Sequence, residues 1–209
     1  MPDGPLAQHL RDAVRLNRQR RAAYRAGGWR AAVLSRVLVA SERLLVPVAR
    51  RLDAQAARHP VPILAADLAD LADAPPADRP LRIGPPTGEA PALRPLRRSA
   101  RRAVGARHLD AAAEALDALV DALRQAERAD GRHRALAVHV AESAAWMAAR
   151  GATYARQTDG ATLPLSVRLV RGHLALLPVA RVLDRLAAPV HRRGVGLFVN
   201  DLPPIPPEP

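Results

Sequence analysis

One Phe, two Tyr and two Trp are all the aromatic rings this chain of 209 residues has for building an interior. With 49% apolar residues but so few rings, the core must be made of Leu, Val and Ala, and such small side chains are best buried by closely approaching helices. Apolar residues recur at helical spacing through most of the chain, and no stretch alternates long enough for a sheet. The expected class is therefore all-α, a single helical domain over 1–209 built as a bundle of five to seven helices. No internal repeat stands out. Cys is absent, which excludes disulfides, thiolate metal sites and Cys nucleophiles.

Glycines and prolines punctuate the pattern. A first helix runs from Asp3, its expected cap, and Pro5 to about Arg25, ending at Gly27-Gly28. A second extends from Trp29 towards His59, with Val33, Leu34, Val37, Leu38, Leu44, Leu45, Val48 and Leu52 as its core stripe, and Pro47 is expected to kink or split it. A short acidic helix from Ile63 to about Asp73 comes next. Residues 74–95 read as a proline-rich connector within the domain. Helical pattern returns at Leu96, with a break near Gly105. Asp110 is the expected cap of an amphipathic helix that ends at Asp130-Gly131. Further helices are expected from about Arg132 to Gln157 and from Pro164 to His191, the last kinked at Pro178. Residues 194–200 read as an extended segment, and 202–209 as a stiff proline-rich tail.

All 32 basic residues are arginine, set against 20 acids for a net charge of +12. They are unevenly spread: residues 1–60 hold twelve Arg and four acids, residues 110–209 twelve and eleven. A one-sided positive surface implies an anionic partner: nucleic acid, acidic lipid or a phosphorylated ligand. On the first helix Arg11, Arg15, Arg18 and Arg25 share a face, with Asp12 expected to point away. On the second, Arg36, Arg43 and Arg50 repeat every seven residues. A third group comprises Arg94, Arg97, Arg98, Arg101, Arg102 and Arg107. The guanidinium fork matches phosphate oxygens with two parallel hydrogen bonds. The plainer reading is a solvated face, or pairing with acids at 67–78 and 110–130.

Two further groups carry possible chemistry. His139, Glu142, Trp146, Arg150 and Thr153 lie on one face of their helix. Were that face covered, His139 and Glu142 would be a pocket-lining acid–base pair, candidate catalytic residues with Trp146 and Arg150 as pocket wall and anion anchor. The alternative is an open polar face. His173 and Asp184 fall on nearly one face among leucines, where Asp184 is expected to pair with an Arg or His of a neighbouring helix.

Known motifs give no support for catalysis. HExxH, the Glu-x-x-His of di-iron bundles, a GxSxG elbow and phosphate-cradling Gly loops are all missing. No metal site is expected, and the residues name no cofactor. No apolar leader and no uncharged run of membrane-spanning length is seen, so the expectation is a cytoplasmic protein. Three functional readings stand at this point: a binding protein for an anionic partner, a helical-bundle enzyme or cofactor protein around His139 and Glu142, and an assembly protein forming homo-oligomers.

Overall fold

A computed structural model describes residues 4–25, 27–59, 93–130, 132 and 134–191. Among them the chain forms seven helices and no strand: α1 (Pro5–Arg25), α2 (Trp29–Ala57), α3 (Leu93–Gly105), α4 (Leu109–Asp130), α5 (Ala135–Gln157), α6 (Leu163–Leu174) and α7 (Leu177–His191). The all-α bundle expected from the periodicity is what forms. The Asp3 cap, the acidic helix at 63–73, most of the 74–95 connector, the 194–200 segment and the 202–209 tail lie outside the described residues. The connector ends earlier than expected, because Leu93, Arg94 and Pro95 already belong to α3, where a proline in the first turn costs no intrahelical bond.

The helices pair in chain order. α1 lies along α2, α3 along α4, and α4 along α5, while α6 and α7 close over α5 and reach across to α2. α5 is the central helix, buried almost from end to end, and its many alanines allow that close approach. At Gly151 a Cβ would come within 2.9 Å of Ser166 Cβ on α6, and at Gly172 within 2.8 Å of Leu45 on α2. A larger residue at Gly151 would crowd α6, whereas at Gly172 the Leu45 methyl would have to swing aside. Chain reversals fall where glycine or a left-handed residue permits: Gly28 has φ of 92°, Asp159 48° and Gly160 80°.

The two helical prolines behave differently. Pro47 stays inside an unbroken α2. Pro178 does more than kink its helix: the chain turns at Ala175 and Leu176, so that α6 ends and Pro178 sits in the first turn of α7, where its missing N–H is harmless. Contrary to the expectation of no run of membrane-spanning length, Leu163–Ala187, divided between α6 and α7, has the length and mean hydropathy, 1.2, of a membrane span. Half of that window is buried inside the bundle, as befits a core element.

α1 and α5 both begin against a carboxylate from a distant helix. Asp53, near the end of α2, accepts from the N–H groups of Leu6 (3.3 Å) and Ala7 (2.9 Å). Asp184, in α7, accepts from Leu136 (3.1 Å) and Ala137 (2.9 Å). These are the orphan donors of a helix start, and a negative group there is favoured. Aligning the two caps exposes an internal repeat, contrary to the sequence reading. Leu6, Ala7, His9, Arg20 and Tyr24 recur at the same spacing as Leu136, Ala137, His139, Arg150 and Tyr154. Pro47-Val48-Ala49-Arg50-Arg51-Leu52-Asp53 recurs as Pro178-Val179-Ala180-Arg181-Val182-Leu183-Asp184. Ser35, Leu38 and Val39 match Ser166, Leu169 and Val170, with buried Glu42 standing where the second unit has buried His173. The α1–α2 hairpin and the α5–α6–α7 unit are thus two versions of one element.

Candidate functional site

A concavity opens on the first hairpin. Arg11, Val14, Arg15, Arg18 and Gln19 of α1 and Arg43, Val46 and Pro47 of α2 line a groove of about 530 Å³. Three of the four stripe arginines of α1 thus meet one arginine of the α2 stripe across an apolar floor; Arg25 is exposed but lies beyond the groove. Arg36 and Arg50 are exposed along α2 to either side of Arg43. Asp12 does not point away as expected: its carboxylate lies 3.7 Å from Arg15, because i and i+3 are neighbours on a helix. Among the described residues, Arg18 and Arg43 have no ion pair.

The second unit carries no charge at the matching positions. The counterparts of Arg11, Arg15, Arg18 and Arg43 are Ala141, Ala145, Ala148 and Leu174, all buried. In that unit α4 lies along α5 and the corresponding surface is core; in the first it is a basic groove.

α3 carries a second basic cluster. Arg94, Arg98, Arg101 and Arg102 are exposed, and burial lowers the pKa of Arg97, helped by the like charges of Arg101, Arg181, Arg94 and Arg98. They lie outside the α1–α2 groove.

The polar face of α5 is covered rather than open. His9 of α1 stacks on Trp146 with ring centroids 4.6 Å apart, and the Arg150 guanidinium lies 5.5 Å from the same indole and 5.6 Å from Tyr154. The expected His139–Glu142 pair is not assembled. Glu142 turns to Arg124 on α4, which makes an ion pair with it, while His139 faces inward with its Nε2 buried and unbonded. The charge of Asp184 is satisfied by backbone N–H groups and not by the expected Arg or His partner, since the helix start already presents two donors. His173 is fully enclosed with neither ring nitrogen bonded.

The convergence in the interior brings the candidates His139 and His173 together with His9 and Arg20, which the sequence reading did not select. His139 lies near His9, His173 and Arg20, and His173 near His9; desolvation lowers the pKa values of His9, His139 and His173 to about 4, 3 and 3, so all three are neutral in the fold. Asn17 donates to both oxygens of Glu42, at 2.9 and 3.0 Å, yet burial still raises that carboxyl to about 7. Asp184 is likewise raised to about 7 by burial, against the pull of its two N–H donors.

The repeat is reciprocal here. Tyr154 of the second unit donates to Asp53 of the first at 2.9 Å and receives a bond from Arg150. At the other end Arg20 and Tyr24 of the first unit lie close enough to Asp184 for their charges to be felt, but no hydrogen bond of normal geometry is made by the Tyr24 hydroxyl or by any Arg20 side-chain nitrogen. A visible sign was there: Asn17, Arg20 and Tyr24 continue the Leu6–Leu10–Ala13 stripe at core spacing. Among the described residues no group of three His, Asp or Glu is arranged to hold a metal ion.

Compared with known protein families, curated proteins and solved structures, the chain matches none.

Proposed function

We propose that this protein binds an anionic partner through the basic face of its α1–α2 hairpin, with Arg11, Arg15, Arg18 and Arg43 as the leading contacts and Arg25, Arg36 and Arg50 around them. The reading rests on one observation: four guanidinium groups surround one groove at positions where the repeated unit buries alanine and leucine. Uncovered where the second unit is packed under α4, this face gathers like charge around one concavity, which suits recognition of an anion. Phosphate oxygens suit the site, since several guanidinium forks converge and the floor between them is apolar.

A fluorescent DNA duplex serves as a phosphate probe. Its affinity is expected to fall at least about tenfold between ~50 and ~200 mM salt, as expected when several phosphate contacts release counterions. Replacing Arg11, Arg18 and Arg43 together by Gln should weaken binding by at least about tenfold and flatten the salt slope. Binding that ignores both salt and the triple replacement contradicts the proposal.

A further inference from the structure

We infer that the outward face of α2 lies on an anionic lipid surface; this rests on the reading above and names its partner. Trp29, Val33, Val37 and Leu44 are exposed, Trp29 by 72% and Leu44 by 76%. Spacings of four, four and seven put them on one side of α2, with exposed Ala40 and Pro47 between and beyond them. Of the stripe expected to face the core, Leu38 and Leu52 are buried beside Ala49, while Val33, Val37 and Leu44 stay outside. Its only acids, Glu42 and Asp53, are buried, so no carboxylate of α2 stands on the outer face.

Arginine borders this apolar ridge. Arg36, Arg43 and Arg50 run along the side facing α1, where Arg43 and Pro47 also line the basic groove. On the other side the Arg30 guanidinium sits 5.5 Å from the Trp29 ring. An apolar stripe with an aromatic at one end and a border of guanidinium groups is how a helix settles at a bilayer interface. The aliphatic side chains enter the acyl boundary and the arginines reach phosphate and carboxylate headgroups.

The repeat shows that packing does not require the ridge. Its counterparts in the second unit are Gly160, Pro164, Arg168 and Ala175, exposed and without a large apolar side chain. A nucleic-acid backbone would leave Val33, Val37 and Leu44 in water. A second copy of the chain would bring one arginine border against another with no acid on α2 to separate them.

The test uses the full chain and vesicles of phosphatidylcholine with or without phosphatidylserine. Sedimentation with the phosphatidylserine vesicles alone is expected, with a blue shift of Trp29 emission; Trp146 is already buried and reports little. A Trp29→Phe variant should still bind but lose the shift. Val33→Ser, Val37→Ser and Leu44→Ser combined, all at exposed positions, should keep the melting transition and duplex binding while losing at least about tenfold in vesicle affinity. If that variant binds vesicles as the parent does, or if the parent binds duplex but no vesicle, the inference fails and the anion-binding reading stands. Binding to neither probe ends both. A dimer in light scattering that the serine variant dissolves would assign the ridge to a second copy and overturn the lipid assignment.

Discussion

Tyr154 and Tyr24 hold matching places in the two repeated units, yet only Tyr154 has its hydroxyl on a carboxylate, 2.9 Å from Asp53. A buried hydrogen bond to a charged acceptor is worth roughly 1.5–3 kcal/mol. Tyr154→Phe is therefore expected to lower unfolding free energy by about 1–3 kcal/mol, and Tyr24→Phe by less than about 0.5 kcal/mol, as read by urea denaturation. Glu42 supplies a pH dependence. Its folded pKa, pushed up to about 7 by burial, lies above the unfolded value, so the folded state binds the proton more tightly. Its contribution is complete below about pH 4.5 and is lost as pH rises through about 7. Glu42→Gln keeps an acceptor for Asn17 and removes that loss. The variant should match the parent near pH ~4 and exceed it near pH ~8 by on the order of 1–3 kcal/mol, measured by denaturation at both values. The three buried histidines act in the opposite sense, since they stay neutral in the fold and favour unfolding as pH falls below about 6.5.

At the level of elements, the two caps should separate. Asp53 holds the start of α1 and also takes the Tyr154 hydroxyl, so it ties α2 to both α1 and α5; Asp184 holds α5 alone by direct bonds. Asp53→Ala and Tyr154→Phe should therefore be coupled, their combined cost falling short of the sum by about 1 kcal/mol or more, whereas Asp184→Ala and Tyr154→Phe should add. A double-mutant cycle by urea denaturation checks this. Helix number and most helix ends were legible in the residues, because Leu and Val at helical spacing and glycine at Gly28, Gly105 and Gly160 are local signals. The direction of α2 was not. Its apolar residues surround the helix, and only contact with α1, α6 and α7 decides that Leu38 and Leu52 go in while Val33, Val37 and Leu44 stay out. The caps were equally hidden, since Asp53 meets Leu6 and Asp184 meets Leu136 across folds of the chain that no spacing rule reaches.

For the whole molecule, the two repeated units differ in charge where they differ in cover. One unit was left with buried alanines beneath α4; the other carries arginine in the same places and an apolar ridge beside them. Sequence composition located the charge in the first half but could not distinguish a groove from a solvated stripe, because the groove exists only where Arg43 of α2 meets Arg11, Arg15 and Arg18 of α1. The repeat itself was obscured by an alanine-rich background in which its few identities are widely spaced. The α3 arginines offer an internal control, being as numerous and as exposed but lying outside that groove. The most direct measurement compares two charge reversals of equal size on duplex and on phosphatidylserine vesicles: Arg11→Glu with Arg18→Glu and Arg43→Glu, against Arg98→Glu with Arg101→Glu and Arg102→Glu. Recognition by the α1–α2 face predicts that the first set abolishes binding while the second changes it by less than about threefold. Equal losses from both sets would mean that net charge alone attracts the partner, and would contradict the assignment of the groove.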